Sequence, residues 1–325
     1  MTGEPAGSKL RRMTSTQHPT SAAPAEQAFR AAEERLLDEY GVVAESRRLP
    51  LADPPLHARV LETGAGEPLL LLHGSGMSAP TWGPLLARLQ DRRVHAFDLP
   101  GFGLSDPHDY SGRSLRRHAV AQVGSMLDAL ELERATVVGT SLGAMWALCM
   151  ALERPERVRS VVGLGIPAVS LAGMRGNAFF RAMTTPGVRA LVSRAPAPKD
   201  AKATRRAMVG AMGRHALDLL PDSYLEVVRA TMLMPGWRLA MSSHLNLAMR
   251  SGKPRPENLF TDEELRSIEV PVRFIFGDAD VYGGPEIGER AVTLMRDAEL
   301  VVLPGGHAPF LDDPDGCAHV IRTAP

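Results

Sequence analysis

The stretch "VVGTSLG" at residues 137–143 decides the fold, because it places one serine between two glycines at the end of an apolar run. The β-branched residues predict a strand, and the residues after Ser141 have the composition of a helix. So sharp a turn holds the serine in a strained backbone with its hydroxyl exposed, and a Cβ at Gly139 or Gly143 would crowd it. The alternative is a turn serine that caps the helix.

Strand and helix patterns alternate on both sides of this turn. "VVAESRRLPL" and "LHARVLETG" predict an opening hairpin, and "PLLLLHG" at 68–74 is an apolar run typical of a buried strand. Further strands are predicted in "RRVHAFDLPG", "VRSVVGLG", "VPVRFIFGDAD" and "AELVVLPGGH", with helices between them in "SLRRHAVAQVGSMLDAL", "LGAMWALCMALERP" and "GPEIGERAVTLMRD". This alternation predicts the α/β class: a mostly parallel sheet with helices on both faces and ligands at the carboxyl ends of the strands.

The chain of 325 residues divides into four predicted parts. Residues 1–26 are rich in Pro, Ser, Thr, Ala and Gly and predict a disordered tail. Residues 27–168 hold an amphipathic helix and the first part of the core, and residues 266–325 hold the second part. Between them, residues 169–265 are helical in pattern, and we expect this insertion to lie over the strand ends as a cap.

Composition limits the classes of function. The formal net charge is zero, which argues against a protein built to hold nucleic acid or an anionic membrane surface. The sequence has neither a run of 18 apolar residues nor the apolar core of a signal peptide. The two cysteines, Cys149 and Cys317, form no CxxC pair, so neither a disulfide framework nor a cysteine-ligated zinc is predicted, and a reducing cytoplasm fits.

Candidate partners for Ser141 follow later strands. A serine hydroxyl needs a base to take its proton, and the base needs an acid that fixes its tautomer. His307 follows the last predicted strand, and Asp278 and Asp280 follow the strand before it. No acidic residue lies between Glu156 and Asp200, so the site after the preceding strand offers no acid. The order Ser, Asp, His leaves Asp278 and Asp280 as candidates.

The chain strongly resembles the α/β-hydrolase superfamily, specifically its cap-bearing serine hydrolases, which include esterases, carbon–carbon bond hydrolases and haloperoxidase-like enzymes. The motifs are "LLLLHGSG", "FDLPGFGLSD", "VVGTSLGAMWALCMALERPERV", "FIFGDAD" and "GGHAPFLDDP", and the resemblance covers residues 42–322. It implies that Ser141 is the nucleophile and His307 the base, with Asp280 as the acid and Asp278 as the runner-up.

The resemblance also implies an oxyanion hole formed by the backbone N–H groups of Leu142 and Ser75, with Gly76 as the neighbouring possibility. His73 is similar to the family's buried structural histidine, and Asp98 and Asp106 flank a surface turn. His215 and His244 lie in the predicted cap and could face the pocket, although we expect ordinary packing, as for the thiol of Cys149.

Some positions depart from better-known branches of the superfamily. Epoxide hydrolases and haloalkane dehalogenases have an aspartate where Ser141 stands, so that chemistry is not expected. Carbon–carbon bond hydrolases commonly have Asn before the serine and Trp after the histidine, and here Thr140 and Ala308 occupy these positions. These two differences argue against a carbon–carbon bond hydrolase but leave that assignment open.

The predicted cap carries the remaining information on the substrate. It contains eight of the fifteen methionines, which suits core packing and would also suit an adaptable apolar pocket. Residues 169–260 contain eleven Arg and three Lys against five acidic residues, which indicates either a solvated surface or an anionic or carrier-bound ligand.

The sequence predicts a serine hydrolase that cleaves a largely apolar ester, thioester or lactone through an acyl-enzyme, with no metal or organic cofactor. Because fold and triad determine the nucleophile but not the acceptor, a lyase, cyclase, carbon–carbon bond hydrolase or acyltransferase is the first alternative. A non-catalytic binding protein of the same fold is the second.

Overall fold

The computed structural model describes residues 22–188 and 195–325. The strands are β1 (Glu45–Leu51), β2 (Leu56–Thr63), β3 (Pro68–Leu72), β4 (Arg93–Phe97), β5 (Ala135–Thr140), β6 (Val158–Leu164), the small separate hairpin of β7 (Met249–Arg250) and β8 (Lys253–Pro254), β9 (Val272–Gly277) and β10 (Ala298–Leu303).

In this part of the chain, a single eight-stranded sheet has the order β1-β2-β4-β3-β5-β6-β9-β10. Within it, the pairs β1–β2 and β2–β4 are antiparallel and the others are parallel, which confirms the predicted hairpin and the mostly parallel sheet.

Helices join the strands and cover the sheet. The described helices are α1 (Ala22–Glu39), α2 (Gly83–Leu86), α3 (Leu115–Ala129), α4 (Leu142–Glu153), α5 (Ala178–Thr184), α6 (Ala201–Met212), α7 (Arg214–Leu219), α8 (Asp222–Leu233), α9 (Trp237–Ala248), α10 (Asp262–Ser267), α11 (Glu286–Leu294), α12 (Pro309–Asp312) and α13 (Pro314–Thr323). None of these described helices has the length and apolar character that crossing a membrane requires.

Both faces of the sheet are buried, as β3 illustrates. Leu70 and Leu72 belong to one hydrophobic cluster, and Leu69 and Leu71 belong to another. Because successive side chains of a strand point to opposite faces, each cluster lies on its own side of the sheet. Helices therefore pack on both faces, as the continuous apolar run at 68–72 predicts.

The N-terminal helix begins earlier than the sequence predicts. The disordered tail was predicted to reach residue 26, whereas α1 begins at Ala22. Pro24 lies in the first turn of α1, where the missing N–H would have no partner within the helix, so it does not prevent helix formation. Phe29 and Leu36 are fully buried, and their packing holds the helix on the core. Residues 1–21 of the predicted tail lie outside the described residues.

The segment between β6 and β9 carries α5 to α10, in agreement with its helical pattern. This segment includes the residues predicted as a cap, 169–265, of which 189–194 lie outside the described residues. Its helices contact the core in several places, among them α8 on α1 and α9 on α3.

Asp98 and the turn at 99–105 are buried, so the prediction that Asp98 flanks a surface turn was wrong. Its side chain is fully buried directly after β4, and its carboxylate accepts the N–H groups of Ala79 at 2.7 Å and Leu104 at 2.8 Å. The guanidinium of Arg59 lies 3.5 Å away. With these partners, the carboxylate can be buried without an unpaired charge, and it ties the loop after β3 to the loop after β4.

Candidate active site

Ser141 lies in the tight turn between β5 and α4, with φ 53° and ψ −110°. This conformation is strained for a residue with a side chain. A Cβ on Gly143 would lie 1.9 Å from the carbonyl oxygen of Leu72, and a Cβ on Gly139 would lie 2.3 Å from the carbonyl carbon of Gly143. A side chain therefore fits at neither position. This confirms the predicted reason for the two glycines, which is that a Cβ would crowd the turn.

Ser141 does not act as a capping residue. Within residues 22–188 and 195–325, its hydroxyl accepts no hydrogen bond from the first turn of α4. Its carbonyl oxygen accepts from Met145 and Ala168, at 3.1 and 3.0 Å. The hydroxyl is left to line a cavity of about 70 Å³, which His307 also lines.

His307 is oriented by Asp280. Its Nδ1 lies 2.8 Å from Oδ2 of the Asp280 carboxylate, whose side chain is completely buried. The same carboxylate accepts the N–H groups of Ile166 at 3.2 Å and Tyr282 at 2.9 Å. Because a carboxylate accepts, Nδ1 carries the proton and Nε2 keeps a lone pair for a neighbouring hydroxyl. The ring of Tyr282 packs edge-on against His307 with 4.4 Å between centroids.

Asp278 has a different place. It is exposed, and its Oδ1 accepts the N–H of Gly305 at 3.0 Å, which holds the loop after β10. The structure thus brings Ser141, Asp280 and His307 together at the carboxyl ends of β5, β9 and β10, and leaves Asp278 outside this group.

Ser75, Ser141 and Leu142 line one small adjoining cavity, so backbone N–H groups from two different elements lie near Ser141. Leu142 is the first residue of α4, so its N–H is one of those that an α-helix leaves without an internal partner. Ser75 lies in the loop after β3 and lines the cavity together with Ser141. Among the described residues, no backbone oxygen accepts from either N–H group. The positive end of the α4 dipole adds to their attraction for an oxygen that develops negative charge.

A larger apolar chamber of about 180 Å³ adjoins this cavity. Five residues line both spaces: Ser75, Met77, Phe180, Met208 and Ala211. The chamber is completed mainly by side chains of the helical segment, including Phe179, Met183, Met232, Trp237 and Met241. The methionines of the predicted cap therefore serve both in core packing and in an apolar pocket. Met212 and Met249 are buried in the core, and others line the chamber.

The remaining histidines separate into core and surface residues. His73 is buried, and its Nε2 accepts the N–H of Leu99 at 3.0 Å, which confirms the structural role predicted for it. His215 is 61% exposed and pairs with Asp312, so it does not face the pocket. His244 is fully buried, and its Nε2 lies 2.9 Å from the hydroxyl of Ser75. No motif in the sequence distinguishes His244, and only the packing of α9 on the loop after β3 reveals this contact.

Other reactive groups lie apart from the site. Cys149 is buried in α4, as expected, and burial raises the pKa of its thiol to about 12. Burial also raises the pKa of the Cys317 thiol. Across the described ranges, no three His, Cys, Asp or Glu side chains are grouped as a metal site would need.

A comparison with known families finds a match over most of the chain. The model of the alpha/beta hydrolase family matches residues 69–320, which include every residue of the candidate site. The chain belongs to the alpha/beta hydrolase family. Its sheet and flanking helices form the alpha/beta hydrolase fold, and the protein is a hydrolase.

Relatives of this alpha/beta hydrolase include hydrolases named for dienedioate and semialdehyde compounds. The 2-hydroxy-6-oxononadienedioate/2-hydroxy-6-oxononatrienedioate hydrolase of Cupriavidus pinatubonensis is 29% identical over 251 residues, which are 74% of this chain and 80% of that protein. The 2-hydroxymuconate semialdehyde hydrolase of a Pseudomonas strain is 43% identical over 118 residues, a match that spans 34% of this chain and 40% of that protein.

Among solved structures, carboxylesterase CesB of Bacillus subtilis has the same fold. It matches this alpha/beta hydrolase with a TM-score of 0.70 and 23% identity, and the match covers 93% of this chain and 98% of that structure. At this identity the likeness concerns the fold alone.

Proposed function

We propose that the protein cleaves a carboxylic ester, thioester or lactone, with Ser141 as nucleophile, His307 as base and Asp280 as the orienting acid. The observation that carries this proposal is the contact of His307 with the buried Asp280 carboxylate, at the cavity lined by the strained Ser141. A serine held at φ 53°, whose hydroxyl caps no N–H of α4, is unfavourable for stability alone, which supports a functional reason for the strain.

The chemistry follows from these positions. His307 takes the proton of Ser141 at Nε2 while the serine oxygen attacks the substrate carbonyl, and Asp280 stabilises the resulting imidazolium through Nδ1. His307 then gives the proton to the leaving group, and an acyl-enzyme remains on Ser141. A water molecule, deprotonated by the same histidine, attacks this acyl group and restores the free serine.

The negative charge of the tetrahedral intermediate would lie against the N–H groups of Ser75 and Leu142. Leu142 begins α4, and the loop that contains Ser75 is tied to the core further along, where the N–H of Ala79 donates to Asp98. Removing one donor of such a hole raises the barrier by about 3 kcal/mol, so these two groups contribute as much as a catalytic side chain.

The chamber indicates an apolar acyl or alcohol group. We propose that residues 169–265 act as a cap that encloses the substrate over Ser141, because fifteen of the eighteen described residues that line the chamber belong to this segment. Apart from Arg238, whose guanidinium donates to the carbonyl oxygen of Ala195 at 2.8 Å, the described residues that line the two spaces carry no fixed charge.

The second candidate is cleavage of a carbon–carbon bond, favoured by the names of the relatives. Such a reaction would use the same serine, histidine and oxyanion hole on a ketone. Thr140 and Ala308 stand where those hydrolases commonly have Asn and Trp, which is why we place ester cleavage first.

A labelling experiment tests the proposal directly. The purified protein is treated with a fluorophosphonate probe, and the adduct is located by peptide mass spectrometry in the wild type and in Ser141→Ala. We expect labelling at Ser141 and none in the variant. Release of free acid from p-nitrophenyl esters of increasing acyl length then measures hydrolysis with water as acceptor, and 2-hydroxymuconate semialdehyde tests the second candidate. A folded wild type that is neither labelled nor active would overturn the assignment.

A further inference from the structure

One face of α9 packs on the loop that carries Ser75. Trp237, Met241 and His244 are spaced by four and three residues, so they lie on the same face of the helix. Trp237 Nε1 donates to the carbonyl oxygen of Gly76 at 2.9 Å, and Nε2 of His244 lies 2.9 Å from Oγ of Ser75. A Cβ on Gly76 would lie only 3.2 Å from the sulfur of Met241, so the loop and the helix are in close contact.

The direction of the contact between His244 and Ser75 follows from the second ring nitrogen. Nδ1 of His244 lies 2.9 Å from the carbonyl oxygen of Ala240, which can only accept, so Nδ1 carries the hydrogen. Nε2 is then an acceptor, and the hydroxyl of Ser75 donates to it. The ring is completely buried and packs edge-on against Phe102 and Tyr110, with 5.8 Å between centroids in each case. Burial lowers the pKa of His244 to about 4, so the acceptor is neutral at ordinary pH.

The loop needs such a restraint. Ser75 stands between Gly74 and Gly76, and Gly76 has φ 78°, a conformation that glycine adopts freely. Two flanking glycines leave the peptide of Ser75 with little intrinsic stiffness. The carbonyl oxygen of this peptide, that of Gly74, accepts from Nδ1 of His73 at 2.8 Å and from the N–H of Met77 at 3.2 Å, and the hydroxyl of Ser75 adds a contact to a helix outside the loop.

We propose that His244 is a positioning residue of the active site: by accepting the Ser75 hydroxyl, it holds the N–H of Ser75 where the oxyanion forms. This inference depends on the proposed function. His244 lines neither the chamber nor the smaller cavity, so it acts through Ser75 and not on the substrate. It also makes α9 part of the catalytic geometry, because the acceptor belongs to the helical segment and the donor to the core.

The test compares Ser75→Ala, His244→Phe and the double variant by steady-state kinetics with p-nitrophenyl butyrate. Each single variant is expected to lose about tenfold to a hundredfold in kcat, less than the loss of a whole oxyanion donor, with little change in KM. Because both residues act through one hydrogen bond, the double variant should lose no more than about twofold beyond either single variant. His244→Gln places an amide oxygen near the position of Nε2 and should restore most of the lost kcat.

A matched control is His95→Phe. His95 is also a buried histidine, and its Nδ1 pairs with Glu62 at 2.8 Å. His95 lies on β4, which β3 separates from the strand that ends before Ser141. We expect it to lower the free energy of unfolding while kcat of the folded protein is retained. Losses in kcat that multiply in the double variant, a kcat of His244→Phe equal to that of the wild type, or no recovery in His244→Gln would each overturn the positioning role.

The outcome is distinguishable from a failure of the proposed function. If the proposed function fails, the wild type itself is neither labelled by the fluorophosphonate probe nor active on the ester. If only the positioning role fails, the wild type is labelled and active, and the variants give one of the three contrary outcomes.

Discussion

Nδ1 of His307 lies 2.8 Å from the buried carboxylate of Asp280, while Asp278, two residues earlier, is exposed and accepts the N–H of Gly305. We therefore expect Asp280→Asn to lower kcat by roughly 10³- to 10⁴-fold, because an amide in this place favours the wrong tautomer of the histidine. Asp278→Asn is the matched control and should keep kcat near that of the wild type. The kcat of ester hydrolysis is measured for both variants. A larger loss in Asp278→Asn would assign the role of the acid to Asp278 instead.

The strained backbone of Ser141 predicts that Ser141→Gly and Ser141→Ala are equally inactive but differ in stability. Ser141→Ala and Ser141→Gly should both reduce ester turnover to background, since both lack the nucleophile. At φ 53°, glycine relieves a strain of about 1–3 kcal/mol, part of which its larger unfolded-state entropy offsets. The free energy of unfolding of Ser141→Gly should thus exceed that of Ser141→Ala by about 1 kcal/mol. Urea denaturation gives the difference, and equal stabilities would show that this backbone stores no strain.

Gly143 and Gly124 form a matched pair for the tight turn. A Cβ at residue 143 would meet the backbone of Leu72 at 1.9 Å, and a backbone atom of a central strand cannot move away cheaply. Gly143→Ala should lower the free energy of unfolding by about 3 kcal/mol and reduce kcat. In α3, a Cβ at residue 124 meets no described atom within 4 Å, so Gly124→Ala should raise the free energy of unfolding by about 0.5–1 kcal/mol. A Gly143→Ala variant as stable as the wild type would contradict the close approach.

His215 and Asp312 predict a pH-dependent contribution to stability. The carboxylate of Asp312, 2.6 Å from Nδ1, raises the pKa of His215 above its ordinary 6.5. A raised pKa in the folded state means that the pair stabilises fully below the unfolded pKa and loses this contribution as pH rises through the folded pKa. The wild type should therefore exceed His215→Gln in free energy of unfolding at about pH 5.5, and the excess should shrink by about pH 8.5.

The size of this effect is small because His215 is 61% exposed. The pair of His215 and Asp312 is nevertheless close to the active site. The other carboxylate oxygen of Asp312 accepts the N–H of Gly306 at 2.8 Å, and Gly306 directly precedes His307. Denaturation curves at the two pH values, with high salt as the control for screening, are the measurement. An excess that grows with pH would contradict the assigned sign.

The sequence by itself determined the elements that depend on local patterns. Alternating strands and helices, the hairpin of β1 and β2, and the turn at Ser141 all follow from residue spacing within a few positions, and the structure shows each of them. The order Ser141, Asp280, His307 is likewise visible in the chain. The two glycines around Ser141 are required by contacts within the turn and with the adjacent strand, so their reason could be deduced before any coordinates.

Only the tertiary structure decided which polar groups meet. Chain order alone leaves both Asp278 and Asp280 as candidates, with Asp280 favoured by the family resemblance, and the packing of the loops after β9 and β10 separates them. Asp98 is buried among three donors, of which Arg59 and Ala79 come from other segments and Leu104 from the loop that follows Asp98. The contact between His244 and Ser75 joins residues 169 positions apart. Spacing along the chain carries information about neighbours within a strand or helix, whereas contacts across such separations depend on how helices and loops pack, which no local pattern encodes.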